Sequence, residues 1–182
     1  MRFTIAVVLA AGASFLAGCA PAVSVHPLYT SQDLAADPSL EGQWTDQDGE
    51  TWQIQKSGNG YDVTVFHQKE TPSTESFNIH LLRLEDAEFA DVTAKSNSSL
   101  AITGHLFAKI WREGDDMCVA LLDDDWLKSE VELGNAPPSI IGDDHRQIIL
   151  TAPTADLQRF IGLHAADPNA WDADTGRFVR AR

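Results

Sequence analysis

Three histidines on separate apolar stretches are the first candidates for chemistry in this chain. His67, His80 and His105 lie on or at the ends of stretches whose alternation is typical of β-strands. Three imidazoles that converge in space could hold a metal ion such as Zn²⁺. None of the three has a second ligand at the local spacing of a metal motif, so ordinary surface or partly buried histidines are the preferred interpretation. We predict no metal and no cofactor.

A run of three acidic residues is the next candidate, because carboxylate oxygens are the ligands that Ca²⁺ prefers. Asp123, Asp124 and Asp125 are consecutive, whereas a calcium loop alternates its ligands and contains a glycine. The run is better explained as the capped start of a helix. The chain also lacks Gly-x-Ser-x-Gly, His-Glu-x-x-His, Cys-x-x-Cys and a phosphate-binding glycine loop. The sequence therefore predicts a protein that is not an enzyme.

The first of the two cysteines lies where an apolar N-terminus gives way to a proline-containing polar stretch. Arg2 is followed by an uncharged apolar segment of about the length of a signal-peptide core, which is too short for the ~20 residues that span a bilayer. Leu16-Ala17-Gly18-Cys19 then stands at the cleavage position. We predict a signal peptide over residues 1–18, with cleavage between Gly18 and Cys19. An ordinary secretory leader that happens to contain a cysteine is the alternative.

This N-terminus resembles the lipobox of bacterial lipoproteins, in which the cysteine becomes the acylated first residue. The resemblance implies a diacylglycerol thioether on Cys19 and an amide-linked acyl chain such as palmitate, which would attach the protein to a membrane. Two or three chains hold a protein far more firmly than the marginal binding of one. Ala20, rather than Asp, follows the cysteine, and the sorting rule of this family then implies the outer membrane, facing the periplasm.

The chain is strongly acidic, with 27 Asp and Glu against 13 Lys and Arg in 182 residues. Its net charge of −14 repels phosphate backbones, so nucleic acid is excluded as a partner. The same charge repels anionic headgroups, so the folded domain should stand away from the bilayer. Once Cys19 is acylated, Cys118 has no partner for a disulfide. It lies in an apolar run, which predicts a buried, inert thiol.

The sequence divides into the leader, a tether that contains the lipidated cysteine over residues 19–38, and one β-rich domain over 39–182. Pro21, Pro27 and Pro38 and the weak periodicity favour a loose tether. His26-Pro27-Leu28-Tyr29-Thr30 is less typical of a linker, because it contains a Leu and a Tyr. It is interpreted either as an arm docked on the domain or as a contact for a partner.

Short alternating stretches joined by turns predict about eight strands, and the near absence of helical interruptions favours an antiparallel meander. Eight such strands can close into a barrel, and a two-sheet sandwich is the alternative. A short helix is expected near 125–134 and a C-terminal helix near 154–166, where apolar residues recur at helical spacing. The expected strands lie near residues 42–45, 51–56, 61–67, 77–84, 88–92, 105–112, 117–122 and 147–150, the last being the final strand of the series.

Gly42-Gln43-Trp44 opens this predicted meander, and a helix lies near the C-terminus. The arrangement resembles the lipocalin or calycin pattern, which begins with Gly-x-Trp. The resemblance implies that Trp44 plugs one end of the barrel and that an arginine from near the C-terminus, Arg177 or Arg180, stacks on it. Simple burial of Trp44 in the core is the alternative.

The interior of the predicted barrel is then the place for a function. Inward-facing apolar residues would either fill the space or line a pocket for one small ligand. The expected function is that of a lipid-anchored lipoprotein that binds an apolar small molecule or lipid. The alternative is a module that contacts another envelope protein through the His26–Thr30 arm or an exposed strand edge. The residues expected to line the interior are Tyr61, Val63, Val65, Phe77, Ile79 and Leu81.

Overall fold

The structure, a computed structural model, describes residues 21–67, 72–95, 103–142, 147–172 and 176–181. The proposed signal peptide, its cleavage site at Gly18 and the acylation site at Cys19 lie outside these ranges. Among the helices in the described ranges, none combines the length and apolar character needed to cross a bilayer.

Within the described residues, eight antiparallel strands pair in a closed ring, which confirms the predicted β-barrel. Neighbouring strands in the ring follow chain order from the first barrel strand, β3 (Gly42–Thr45), to the seventh, β9 (Asp116–Leu121), and each pairing is antiparallel. The short strand β2 (Leu34–Ala35) pairs with Leu81 and Leu82 of β6, beyond the part of β6 that pairs with β5. The ring consists of β3 (Gly42–Thr45), β4 (Thr51–Ser57), β5 (Gly60–His67), β6 (Ser73–Leu84), β7 (Ala87–Ala94), β8 (Leu106–Glu113), β9 (Asp116–Leu121) and β12 (Gly176–Arg180).

The strand that closes the barrel is β12, and not the stretch near 147–150 that was expected to end the series. Phe178 pairs with Met117 on β9, and Val179 pairs with Thr45 on β3. The stretch near 147–150 instead forms β11 (Ile148–Leu150) of a separate small sheet. The expectation was wrong because β12 has only five residues and depends on partners far away in sequence.

The small sheet and two helices, as far as the described residues extend, lie outside the barrel. In this sheet β11 runs parallel to β1 (Val23–Ser24) and antiparallel to β10 (Ser139–Ile141). Helix α1 (Asp124–Leu133) begins after Asp123, which accepts a hydrogen bond from the Trp126 N–H, and ends at Gly134 in the left-handed conformation. Helix α2 (Thr154–Leu163) is three residues shorter than expected, because His164 already leaves helical geometry.

Two separate hydrophobic clusters follow from the alternation of the strands. Residues on one face of the strands, such as Val63 and Leu81, fill the barrel interior. Residues on the opposite face of β6 to β9, such as Leu82 and Phe89, pack outside the barrel against α1, α2 and the small sheet. One wall of the barrel therefore has apolar contacts on both faces.

The N-terminal segment, as far as it is described from residue 21, is docked on the domain rather than loose. Leu28 is completely buried, and its backbone N–H donates to Asp91 Oδ2 at 2.7 Å. Gln158 on α2 donates to the Leu28 carbonyl oxygen, and Tyr29 stacks on His80. The docked-arm interpretation of the His26–Thr30 stretch is the one found, and the folded unit begins well before residue 39.

Asp91 is expected to be the most sensitive polar residue of the fold. Its side chain is fully buried, and Oδ1 lies 2.7 Å from His105 Nδ1 while Oδ2 holds the Leu28 N–H. Asp91→Ala removes both contacts and leaves buried donors without partners, which should lower the free energy of unfolding by about 3–5 kcal/mol. Urea denaturation followed by far-UV circular dichroism measures this loss.

Asp62→Ala is the matched control, because it removes a carboxylate from a pair that is about 40% exposed on both sides, with Lys95 at 2.8 Å. Exposed pairs contribute about 0–1 kcal/mol. Equal losses for the two variants would show that the buried contacts of Asp91 do not hold the arm.

Candidate functional site

One end of the barrel is closed by Trp44 and the groups around it. The Trp44 side chain is 1% exposed, and its indole N–H donates to the Leu40 carbonyl oxygen at 2.8 Å. The guanidinium of Arg180 lies 5.2 Å from the ring centroid, and that of Arg112 lies 5.0 Å from it. Cation–π contacts at such distances contribute about 0.5–2 kcal/mol each. We call this end, defined by Leu40, Trp44, Arg112 and Arg180, the closed end.

Of the two arginines named from the sequence, Arg180 lies over Trp44 and Arg177 does not. The Arg180 guanidinium also donates to the backbone carbonyl oxygens of Ser39 and Glu41. Arg177 is on the opposite face of β12 and pairs with Asp116 at 2.8 Å. Sequence reasoning missed Arg112, which reaches the ring from β8.

Charged and polar groups at the closed end are paired with one another. Asp37 accepts from Arg112 at 3.2 Å; burial would raise the pKa of Asp37, but hydrogen bonds from Ser39 and Arg112 outweigh it and the pKa is lowered. Burial raises the pKa of Tyr61, whose hydroxyl oxygen accepts the Asp37 N–H at 2.9 Å. These contacts keep the closed end in place without leaving Tyr61 unpaired.

The six residues expected to line the interior divide into two groups. Tyr61, Val63, Val65 and Leu81 are at most 1% exposed, so the space beside them is filled by neighbouring side chains. Phe77 and Ile79 belong to the same inner cluster but are only partly buried. The interior is therefore filled in one part and accessible in another.

The accessible part is lined by apolar side chains from three strands in addition to β6, which carries the two predicted residues. Trp52 on β4, Val92 on β7 and Val119 on β9 also pack against the inner cluster while staying partly exposed. Trp52 stacks with Phe77 at 6.5 Å between ring centroids and meets Phe178 on β12 edge to face at 5.0 Å. We call this set, Trp52, Phe77, Ile79, Val92 and Val119, the cup.

A histidine between two carboxylates lies near the cup, toward the barrel end opposite Trp44. His67 follows Val65 by two residues on β5 and so shares its inner face; the residue is 6% exposed. Its Nδ1 lies 2.8 Å from Glu50 Oε1, and its Nε2 lies 3.7 Å from Glu75 Oε1. Neither ring nitrogen makes a hydrogen bond within the described part of the chain, because the geometry at Glu50 is poor and Glu75 is too distant. We call Glu50, His67 and Glu75 the rim.

The other two histidines considered as metal ligands lie elsewhere, on the outer face of the barrel. His105 pairs with Asp91, and His80 lies opposite Asp91 on the neighbouring strand. Burial lowers the pKa of His80. His67 is on the inner face, so the three do not converge. The described residues contain no group of three or more His, Cys, Asp or Glu that could hold a metal ion.

The acidic run at 123–125 serves the fold around α1. Asp123 caps the helix, and Asp124 Oδ1 accepts the Ala22 N–H at 2.7 Å. Burial raises the pKa of Asp124, and the neighbouring Asp123 and Asp125 raise it further. The run thus ties the start of the described chain to α1.

The second cysteine, Cys118, is 2% exposed, and burial raises the pKa of its thiol. Both observations agree with the inert thiol expected there.

Comparison of the chain with family models, with curated proteins and with solved structures finds no match in any of the three.

The arrangement at the closed end predicts different effects for the two arginines. Arg180→Ala removes one cation–π contact and the hydrogen bonds to Ser39 and Glu41, and should lower the free energy of unfolding by about 1–2 kcal/mol. Arg177→Ala is the matched control on the same strand, and the smaller loss is expected for it because its exposed ion pairs are screened by solvent. Urea denaturation compares the two; a larger loss for Arg177→Ala would contradict the role of Arg180.

Proposed function

We propose that this chain is a lipid-anchored, non-enzymatic lipoprotein of the bacterial outer membrane that binds an apolar small molecule or lipid in the cup. The observation that carries the binding proposal is the partial exposure of inward-facing apolar side chains. Aromatic and aliphatic groups that face a barrel interior are normally covered by one another. Where they stay accessible and concave, they form the kind of site that apolar ligands occupy.

A ligand in the cup is expected to bind weakly. A ligand that buries about 200 Å² of apolar surface would gain about 5 kcal/mol. That gain corresponds to a dissociation constant of about 0.2 mM before the cost of association, so a submillimolar or weaker constant is expected. The floor of the cup is already filled by Tyr61, Val63 and Val65, which favours one short or medium chain over a whole diacyl lipid.

The interaction-module alternative receives less support from the described residues. Its predicted contact, the His26–Thr30 arm, is occupied by the domain itself, since Leu28 is completely buried. The barrel strands also pair in a closed ring, so none of the eight offers a free edge. A partner would have to use another surface, such as β10, where Ile140 is 57% exposed.

The anchor proposal rests on the lipobox-like residues and acquires one geometric consequence. The Ala22 N–H is already bonded to Asp124, so only residues 19–21 would separate acyl chains on Cys19 from the folded unit. Three residues span at most about 11 Å. The domain would then stay next to the bilayer, and the acidic run bonded to Ala22 would lie close to the headgroups, where anionic lipids repel it.

Acylation of Cys19 predicts that Cys19→Ala releases the protein from membranes. Cells fed an alkyne analogue of a fatty acid should label the unmodified chain and not the variant. Cys118→Ala is the matched control, because it removes the other cysteine, which is buried, and should leave labelling and membrane fraction unchanged. Persistence of the Cys19→Ala chain in the membrane fraction would rule out acylation as the anchor.

Binding in the cup predicts a response to N-phenyl-1-naphthylamine, a neutral fluorophore that brightens in apolar surroundings. The Cys19→Ala chain is used, so that no acyl chain of the protein competes. Its fluorescence should rise on titration, and Val119→Phe, which fills the cup, should weaken binding about tenfold or more.

Phe66→Ala is the control for that experiment, because Phe66 is 42% exposed on the outer face of β5. It should bind the fluorophore normally, and urea denaturation should show that both variants are folded. Equal affinity of the fluorophore for the Cys19→Ala chain and for the folded Val119→Phe variant would show that the probe binds outside the cup, and would contradict the proposal.

A further inference from the structure

The rim assigns a chemical class to the ligand, and this inference rests on the proposed binding in the cup. His67 is buried on the inner face of the barrel; Nδ1 lies 2.8 Å from Glu50, but neither ring nitrogen makes a hydrogen bond of good geometry within the described residues. A buried polar group whose hydrogen bonds are incomplete costs about 1–3 kcal/mol, so its presence needs an explanation, and a ligand is one. The cup and the buried imidazole are separate observations, and both lie on the inner face of the same barrel.

Charge decides which polar group fits there. Glu50 is 8% exposed and sits against His67 Nδ1, and Glu75 is on the inner face of β6, two residues from the cup residue Phe77. Asp46 adds a third carboxylate at the cup, where Oδ2 accepts the indole N–H of Trp52 at 2.9 Å. Two carboxylates beside the imidazole and one at Trp52 repel a carboxylate or phosphate headgroup and attract a cation.

The accessible group of the rim is Glu75, whose side chain is 44% exposed, whereas His67 Nε2 is almost completely covered. Nε2 and Glu75 Oε1 are 3.7 Å apart, too far for a hydrogen bond with each other. An ammonium group carries three donors and could donate to the Glu75 carboxylate from the solvent side. An apolar chain that ends in such a group would lie along Phe77 and Trp52, with its charged end at the rim.

We propose that the cup binds an apolar molecule that carries a protonated amine, with the amine held by Glu75 beside His67. Free fatty acids and other anionic amphiphiles are disfavoured by the same carboxylates. The cup selects the length of the ligand's apolar chain, and the rim selects its headgroup. The two parts of the site can therefore be tested separately.

The test compares dodecylamine, dodecanol and dodecanoate, which share a twelve-carbon chain, by displacement of N-phenyl-1-naphthylamine from the Cys19→Ala chain below micellar concentrations. Dodecylamine should bind about tenfold or more tightly than dodecanoate at low salt, with dodecanol between them. The preference should shrink as salt is raised, because the Glu75 side chain is 44% exposed and its charge is screened. Equal affinity for dodecylamine and dodecanoate would overturn the inference.

Glu75→Gln should weaken the binding of dodecylamine about three- to tenfold. It should leave the affinity for N-phenyl-1-naphthylamine unchanged, because that probe is neutral. Glu132→Gln is the matched control: it makes the same change in net charge on the exposed surface of α1, far in sequence from the rim. Equal effects of the two variants would reduce the preference to general electrostatics and contradict a specific role for Glu75.

Failure of this inference is distinguishable from failure of the proposed function. If the fluorophore and all three chains fail to bind, the cup is not a ligand site. If the fluorophore binds and fatty chains displace it without regard to headgroup, the cup stands and the assignment of an amine does not.

Discussion

The pairing of β12 with both β3 and β9 is the constraint on which the rest of the structure depends. It joins the last described strand to the first strand of the barrel and leaves no free edge in the ring of eight. The same pairing sets Arg180 directly opposite Trp44 and brings Phe178 against Trp52. One short strand thus positions the closed end and one side of the cup together. Without it, β3 and β9 would expose unpaired backbone groups and the interior would open along its length.

Buried polar contacts then fix what surrounds the barrel. Asp91, completely buried on the outer face, holds the Leu28 N–H and His105, and so couples the N-terminal arm to β7 and β8. Such a carboxylate is stabilising only while its partners are in place, since an unpaired buried charge is costly. His67 differs from Asp91 in this respect, because its ring nitrogens have carboxylates nearby but no hydrogen bond in the described chain. That difference separates a contact that serves the fold from the group beside which the proposed ligand would bind.

Local patterns in the sequence predicted much of this fold, because alternation and capping are local effects. Alternation on β4 to β9 located these strands, and Asp123 and Gly134 bounded α1. The closing strand could not be recognised, since Phe178 and Val179 lie in a five-residue strand whose stability comes from distant partners. The division of the six interior residues, with Tyr61 buried and Phe77 accessible, depends on how far each lies along the barrel, which alternation does not encode. The sequence also did not indicate Arg112, Glu50 and Glu75. Each of them contacts a residue of another strand, and local alternation does not encode such contacts.

The central claim is that the barrel is closed at the Trp44 end and that it binds an apolar ligand in the cup, beyond the filled part of the interior. The most direct measurement is native mass spectrometry of the protein purified from its own host, followed by organic extraction and identification of any bound compound. The account predicts a complex of one chain with one small apolar molecule, which is lost on extraction and is absent from folded Val119→Phe. A protein that carries no such molecule, and that takes up none when incubated with a lipid extract of the same cells, would contradict it.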